Sequence, residues 1–164
     1  MNTFLPYPSF EKSAKVLDNK RLNKQIVECY QILKAITLPD YGWQNHPAVN
    51  MWREHPISLF SYTWYLNIEY TDRKVERDKL FMAPNHKSYD NAAKFFTINY
   101  SYPRYCQSII DMPDFIGYEP FHLSHQSNLL RKDLYHYNKY FDTSVPIDLP
   151  YYWPSKEIAL VSRS

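Results

Sequence analysis

The amino-acid sequence predicts an all-α fold, organised as a single compact helical domain with extended N- and C-terminal segments. Few segments alternate polar and apolar residues with the period of two that half-buried strands require. Apolar residues instead recur at helical spacing, and capping residues or prolines mark where most of these stretches begin and end. At 164 residues the chain is long enough to bury a core. No repeat or linker divides it, so we expect residues 1–164 to form one domain.

The chain should begin with an extended segment followed by a short helix. Pro6 and Pro8 oppose helix formation and bias the residues before them toward extended geometry, so residues 1–8 are predicted to be extended. Ser9 is a suitable N-cap for the helix that follows. The apolar stripe of that helix consists of Phe10, Ala14 and Leu17.

The stretch from Val16 to Ile36 is the strongest amphipathic pattern in the chain. Asp18 or Asn19 is predicted to cap a helix that ends near Ile36, ahead of Pro39. Its apolar stripe consists of Leu22, Ile26, Cys29, Leu33 and Ile36. The opposite stripe carries Arg21, Gln25 and Glu28 at spacing i, i+4, i+7. This polar stripe is either a solvated helix face or a site in which Glu28 acts as a general acid or base.

Two further helices are predicted in the middle of the chain. Gly42 supplies a turn, Asn45 caps a short helix over residues 48–53, and Pro47 lies in its first turn. The next helix, at about residues 57–72, is apolar almost all round and should be the central buried one. A charged continuation over residues 71–80 is expected to be solvated.

The C-terminal part combines helices with an aromatic tail. Weak patterns predict helices at residues 90–100 and 102–110, and a stronger pattern predicts one at Glu119–Lys132, with Pro120 at its start. Asp133 is expected to cap a last helix that runs to about Phe141. The tail over residues 145–154 should be extended and held over the core by its aromatic side chains.

Composition excludes several classes of function. With two glycines, the chain has no Gly-rich phosphate loop. A net charge of +2 permits nucleic-acid binding through a local patch, and 16 tyrosines suit surfaces that stack bases. Cys29 and Cys106 lack metal spacing, and Cys29 lies on the apolar stripe. Without a signal peptide or a long apolar run, the protein is expected to be soluble and cytoplasmic. We also expect it to be a monomer.

The side chains that could carry chemistry form a polar cluster from three helical regions. One carboxylate among several cations suits a phosphodiester partner and a cationic transition state, and nearby Trp and Tyr side chains could stack bases. The cluster consists of Arg21, Gln25 and Glu28, then Asn45, His46 and Arg53, then His122, His125, Asn128, Arg131 and Lys132. No histidine pattern matches a known metal motif, so we predict no metal site and favour structural roles for these side chains. A serine triad and a cysteine nucleophile lack supporting motifs.

Three blocks of sequence resemble a known family: LDNKRLNKQIVE, GWQNHPAVNMWR and HLSHQSNLLRKDLYHY. Together they resemble the pyrimidine dimer DNA glycosylase (endonuclease V) family, which has phage and bacterial branches. In the first block an Asp–x–x–basic–Leu start is followed, seven residues after the basic position, by a Glu. Here that spacing runs from Arg21 to Glu28. The second block is similar to a GYxNHP–x₅–R stretch of the bacterial branch, and the third to a segment of that branch.

The resemblance implies an all-α enzyme that needs no metal or cofactor, binds damaged or modified duplex DNA, and flips a base out. In that family the N-terminal α-amine attacks the sugar C1′ to give an imine, and the helix Glu assists base loss and strand cleavage. Carried over, Met1 supplies the amine, Glu28 is the acid or base, and Arg21 orients the sugar or phosphate. The remaining polar residues are expected to contact the substrate or DNA: Asn2, Lys24, Gln25, Asn45, His46, Arg53, His122, His125, Asn128, Arg131 and Lys132.

Some positions depart from the family pattern. Asn2 normally prevents removal of the initiator methionine, so the nucleophile is the amine of Met1 or is lacking. Val27 stands where the family has Arg, and Arg21 where the phage enzyme has His. Three functions stay open: a glycosylase acting on damaged or modified pyrimidines, with or without abasic-site lyase activity; a non-catalytic or regulatory nucleic-acid-binding protein on the same scaffold; and an enzyme that processes modified nucleotides.

Overall fold

The computed structural model describes residues 1–76, 90–95, 97 and 112–154, and these residues form an all-α fold without strands. The predicted fold class is confirmed. The helices are α1 (Phe10–Val16), α2 (Asn19–Thr37), α3 (Pro47–Trp52), α4 (Pro56–Glu76), α5 (Glu119–Lys132) and α6 (Leu134–Tyr137). Residues 90–95 and 97 are also helical, whereas the rest of the helices predicted at 90–100 and 102–110, and Cys106, lie outside the described residues.

Local capping explains where the N-terminal helices begin. The Ser9 hydroxyl accepts a hydrogen bond from the Lys12 amide (3.1 Å) at the start of α1. The Asp18 carboxylate does the same for the Arg21 amide (3.1 Å) at the start of α2. Both caps are as predicted, and the bounds of α5 agree with the prediction residue for residue.

The core forms where α2 packs against α3 and α4, α1 against α4, and α5 against α6. Large aromatic side chains fill the core. The Trp52 indole and the Tyr62 and Tyr137 hydroxyls donate hydrogen bonds to other residues of the chain. The fully buried aromatic side chains are Phe10, Trp52, Tyr62, Phe121 and Tyr137. The tail after α6 lies over α5, where the Ser127 hydroxyl accepts from the Leu149 amide (3.0 Å) and the Ser124 hydroxyl from the Tyr152 amide (3.1 Å). Its aromatic side chains Tyr151, Tyr152 and Trp153 pack against the core as predicted.

Several local predictions were wrong. The N-cap of α3 is His46, not Asn45, because the His46 Nδ1 accepts from the Ala48 amide (3.1 Å) while Asn45 lies in the preceding turn. Helix α4 is buried all round, as predicted, only over residues 58–63, since Trp64 and Ile68 beyond them are exposed.

The last helix ends at Tyr137, not near Phe141 as predicted. The Tyr137 carbonyl accepts from both the Tyr140 and Phe141 amides, which closes the helix in a turn. The Tyr7 hydroxyl donates a hydrogen bond to the Tyr140 carbonyl (2.7 Å), so this carbonyl binds the N-terminal segment and not a further helical turn. Over the described residues, no helix is long and apolar enough to cross a membrane.

Candidate active site

A cavity of about 450 Å³ opens between the chain start, α2, α3, the end of α5 and the tail. This volume lies within the range of small-ligand sites, about 300–1,000 Å³. The lining residues come from all five regions: Met1, Asn2, Phe4, Lys20, Arg21, Lys24, Glu28, His46, Pro47, Lys132, Tyr151 and Trp153. Seven of the predicted site residues are therefore brought together at one cavity: Met1, Asn2, Arg21, Lys24, Glu28, His46 and Lys132.

Glu28 is the acidic side chain of this lining, and only 13 % of it is exposed. One carboxylate oxygen accepts a hydrogen bond from the Asn2 amide (3.3 Å), and the other lies 3.7 Å from the Lys24 ammonium. The Asn2 amide nitrogen is one residue from the N-terminal amine along the chain. Helix α2 thus brings a largely buried carboxylate to the first peptide unit of the protein.

Gln25 explains why the chain start lies beside Glu28. Its amide donates to the Asn2 carbonyl (2.6 Å) and accepts from the Phe4 amide (2.7 Å). The side chain is buried, with 1 % exposed, although the sequence pattern assigned it to a polar stripe. The N-terminal segment covers this side chain. Without it, the Asn2 carbonyl and the Phe4 amide would be buried and unpaired, which costs free energy.

Two histidines of α5 hold the same segment from the other side. The His125 Nδ1 accepts from the Leu5 amide (3.1 Å), and the His122 Nδ1 donates to the Leu5 carbonyl (2.8 Å). The His122 Nε2 accepts from the Gly117 amide (2.9 Å). Burial lowers the pKa of His122. Burial and the neighbouring His122 ring together lower the pKa of His125 to about 3. Both rings are therefore neutral at neutral pH, as this pattern of donors and acceptors requires.

Three more side chains complete this fixation of the N-terminal segment. The Trp52 Nε1 donates to the Thr3 hydroxyl (2.8 Å), the Tyr62 hydroxyl donates to the Phe4 carbonyl, and the Gln126 amide donates to the Pro6 carbonyl (2.8 Å). Residues 2–6 are buried as a result. The segment is anchored to α2, α3, α4 and α5 at once, which fixes the position of the chain start.

Among the described residues, four cations line the cavity: Lys20, Arg21, Lys24 and Lys132. Lys24 is 71 % exposed and therefore accessible to an anionic partner. The Arg21 guanidinium already contacts the Asp18 carboxylate (3.2 Å) and the Lys132 carbonyl (3.2 Å), so it ties α2 to the end of α5. Such a concentration of positive charge attracts phosphates more strongly than the net charge of the chain indicates.

Aromatic side chains form one wall of the cavity and continue outward from it. The Tyr151 and Trp153 rings are 5.7 Å apart, the Trp153 and His46 rings 6.2 Å, and the His46 and Trp43 rings 5.9 Å. Burial and the nearby N-terminal charge lower the pKa of His46, so its imidazole is neutral at neutral pH. The row ends at Trp43, which is 66 % exposed.

The turn that carries Trp43 is strained. We predicted that Gly42 supplies this turn, yet the residue with left-handed geometry is Trp43, at φ 73°. That geometry costs about 1–2 kcal/mol for a residue with a Cβ, and it persists only where the surroundings impose it. The backbone amide of His46 donates to the Trp43 carbonyl (2.9 Å) and closes the turn. The side-chain amide of Gln44 donates to the Leu38 carbonyl (2.8 Å).

The other predicted site residues do not line the cavity. Gln25, His122 and His125 hold the N-terminal segment as described above. Asn45 is exposed in the turn, and Arg53 hydrogen-bonds to the Gln44 carbonyl and the Asn50 side chain (3.0 Å). Asn128 donates to the Ser124 carbonyl (2.8 Å), and Arg131 donates to the Leu149 carbonyl (2.8 Å). Contact of these residues with DNA stays a prediction.

Sequence reasoning missed part of the lining, namely Phe4, Lys20, Pro47, Tyr151 and Trp153. Lys20 is one helical turn before Lys24 on α2 and could have been found from that spacing. Tyr151 and Trp153 could not, because the tail reaches the cavity only through its long-range contacts with α5. Within the described part of the chain, no three His, Cys, Asp or Glu side chains are grouped as metal ligands. Burial raises the pKa of the Cys29 thiol to about 12, as expected of a core residue.

Comparison with known families decides the assignment. The model of the family described as pyrimidine dimer DNA glycosylase matches residues 1–83. The chain belongs to this family. The match includes the N-terminal segment, Glu28 and the three cavity cations of α2, and it confirms the resemblance read from the sequence. No curated protein and no solved structure matched the chain.

Membership of the pyrimidine dimer DNA glycosylase family supports that general function, with DNA as the substrate. The matched residues also contain α3, His46 and the Trp43 turn. Helix α5 and the tail lie beyond them, so the resemblance of the third sequence block stays a prediction. The cavity of this family member nevertheless uses Lys132, Tyr151 and Trp153 from those unmatched parts.

Proposed function

We propose that the protein excises damaged or modified pyrimidines from duplex DNA by flipping the affected nucleotide into the cavity beside Glu28. One observation carries this proposal: the carboxylate of Glu28, 13 % exposed, accepts a hydrogen bond from the Asn2 amide at a cavity surrounded by cations. A flipped nucleotide brings a sugar and two flanking phosphates to such a site. The four cations suit the phosphates, and the carboxylate suits the positive charge that develops on the sugar as the base leaves.

The proposed chemistry begins with the amine of Met1 in its neutral form. Its lone pair forms a bond to the sugar C1′ while the bond from C1′ to the base nitrogen breaks and its electron pair leaves with the base. The base takes up a proton, and the nitrogen bound to C1′ loses one. Opening of the sugar ring then gives an imine between the N-terminal nitrogen and C1′.

Glu28 has two roles in this scheme. As a carboxylate it stabilises the cationic sugar, and it then accepts a proton from C2′ so that the 3′ phosphate leaves by β-elimination. If the amine does not react, the same carboxylate can activate a water molecule, and the protein is a glycosylase that leaves the strand intact. The fixation of residues 2–6 supports the first scheme, because a nucleophile needs a defined position to react efficiently.

The experiment that tests the proposal measures base release and covalent trapping on one duplex. The substrate contains a single thymine dimer, and a second duplex carries an abasic site at the same position. Cleavage of a glycosidic bond at the dimer, with a borohydride-trapped adduct, supports the glycosylase and lyase scheme. Base release without an adduct supports the monofunctional scheme.

The control is protein whose N-terminal amine has been blocked by reductive methylation. Lysines are methylated by the same treatment, so the matched comparison is a sample methylated while its N-terminus carries a removable protecting group, which is taken off before the assay. Loss of the adduct in the first sample alone assigns the nucleophile to Met1. Binding without base release from thymine dimers or other modified pyrimidines would contradict the proposal and favour the non-catalytic DNA-binding alternative. Turnover of a free nucleotide without DNA would favour the nucleotide-processing alternative.

A further inference from the structure

Trp43 is placed and held in a way that core packing does not explain. It is the most exposed of the four tryptophans, at 66 %, whereas Trp52 is fully buried. Among the described residues it is also the only one other than glycine with a positive φ, 73°. Glycine adopts this geometry freely, and Gly42 is its neighbour, so a large aromatic side chain is held here against both steric and hydration preferences.

The surrounding turn enforces this placement. The Trp43 carbonyl accepts from the His46 amide (2.9 Å), and the Asn45 carbonyl accepts from the Asn50 side chain (3.3 Å). Arg53 adds a hydrogen bond to the Gln44 carbonyl. Every residue from Trp43 to Asn45 therefore has its carbonyl bound to α3 or its flanks. Strained residues imposed by their surroundings in this way cluster at ligand-binding sites.

The aromatic row connects Trp43 to the cavity. Trp43 contacts His46, and His46 contacts Trp153, with ring centres 5.9 and 6.2 Å apart. His46 and Trp153 line the cavity, so Trp43 lies one ring beyond the cavity lining, on the solvent side. A nucleic acid with one nucleotide at the cavity has neighbouring bases just outside it, and Trp43 is the exposed ring beside the cavity-lining His46. Bases stack on exposed aromatic faces regardless of their identity, which suits a residue outside the reacting centre.

We infer that Trp43 stacks on a nucleobase of the bound DNA, outside the cavity that receives the excised pyrimidine. The inference rests on the proposed function, because it requires DNA to be bound with one nucleotide at the cavity. Trp43 is then a positioning residue. It holds a neighbouring part of the DNA in place while the cations at the cavity contact phosphates.

The test compares dissociation constants of Trp43→Gly, Trp43→Phe and wild-type protein for a duplex that contains one thymine dimer. The matched control is Trp64→Ala, because Trp64 is an exposed tryptophan on α4 that does not line the cavity. Trp43→Gly should bind about 5- to 150-fold more weakly, the range expected for loss of one stacked base. Trp43→Phe and Trp64→Ala should stay within about threefold of wild type. Thermal unfolding of Trp43→Gly should occur at or above the wild-type temperature, because glycine relieves the strain.

A second series identifies the base itself. Single bases near the dimer are replaced, one at a time, by an abasic tetrahydrofuran residue, and each duplex is bound to wild-type and Trp43→Gly protein. At one position, omission of the base should weaken wild-type binding by the same factor as Trp43→Gly and should not weaken the variant further. Additive losses at every position would overturn the inference, as would Trp43→Gly binding within twofold of wild type. Absence of any DNA binding by wild-type protein would instead overturn the proposed function, and the stacking role with it.

Discussion

Glu28 has an observed structural contact and a proposed chemical role, and a single substitution can separate the two. Its carboxylate accepts the Asn2 amide hydrogen bond and faces the cavity. Glutamine at this position retains an oxygen that can accept the same hydrogen bond, but it carries no charge and cannot take up a proton at neutral pH. We therefore expect Glu28→Gln to slow base release by about 10²- to 10⁴-fold while DNA affinity changes less than about threefold.

Single-turnover base release and equilibrium binding on the same thymine-dimer duplex measure the two effects. Glu11→Gln is the matched control, because Glu11 is an exposed carboxylate on α1 outside the cavity lining. It should leave both quantities unchanged. A parallel fall of affinity and rate in Glu28→Gln would show that Glu28 only supports the structure.

The N-terminal segment is the element on which the site depends, and Gln25 is its central anchor. Gln25→Met has a similar shape but leaves the Asn2 carbonyl and the Phe4 amide without their partner. Two unpaired buried groups should lower the free energy of unfolding by about 2–5 kcal/mol. Because these groups flank the chain start, the rate of borohydride trapping on abasic DNA should also fall.

Gln126→Met provides the comparison at the other end of the segment, since Gln126 makes one part-buried hydrogen bond to the Pro6 carbonyl. It should cost about 0.5–1.5 kcal/mol and leave the trapping rate unchanged. Chemical denaturation measures the stability of both variants. Equal effects of the two variants on trapping would contradict a specific role for Gln25 in positioning the chain start.

Acid should release the same segment through His125. Its pKa is about 3 in the folded protein and near 6.5 when exposed in the unfolded chain. The folded pKa is the lower one, so the stabilisation is fully present above pH 6.5 and is lost as the pH falls toward 3. Each pH unit in this window costs about 1.4 kcal/mol, or about 2 kcal/mol between pH 7.5 and 5.

His125→Asn removes this proton-binding group and keeps an oxygen that can accept the Leu5 amide hydrogen bond. The variant should be less stable at pH 7.5, but its free energy of unfolding should fall less steeply with acid than that of the wild type. Denaturant titrations at several pH values between 7.5 and 5 measure both slopes. Identical slopes would show that protonation of His125 does not drive the loss.

At the same scale, the N-caps of α1 and α2 were predictable, whereas the partners of the N-terminal segment were not. Asp18 and Ser9 cap their helices through atoms three residues away, so the signal is contained in a short stretch of sequence. The contact between Leu5 and His125 joins residues 120 positions apart. No periodicity records such a contact, and a buried amide such as Gln25 has the same place in a helical pattern as a solvated one.

The site as a whole was partly predictable for the same reason. Arg21, Lys24 and Glu28 share one face of α2, so their proximity follows from the spacing alone. Lys132 joins them because the Arg21 guanidinium reaches the last carbonyl of α5. Tyr151 and Trp153 join because the tail folds back over α5, which depends on the complete fold.

The whole molecule concentrates positive charge at the cavity although its net charge is only +2. Lys20, Arg21, Lys24 and Lys132 line one opening, and DNA that lies across it should release condensed counterions. If two to four of them contact phosphates, the logarithm of the binding constant should fall with the logarithm of salt concentration with a slope of about −2 to −4.

The salt dependence of DNA binding in single Lys→Gln variants shows which lysines contact the phosphates of the bound DNA. Lys20→Gln and Lys132→Gln should each reduce the slope by about 0.9 and weaken binding to damaged and undamaged duplexes alike, because a phosphate contact carries no information about the base. Lys15→Gln should leave the slope unchanged, since Lys15 pairs with Glu11 on α1 (2.5 Å) and does not line the cavity. A slope that responds to Lys15 but not to Lys20 or Lys132 would place the DNA on another face of the protein. The cavity beside Glu28 could then not receive a nucleotide from it.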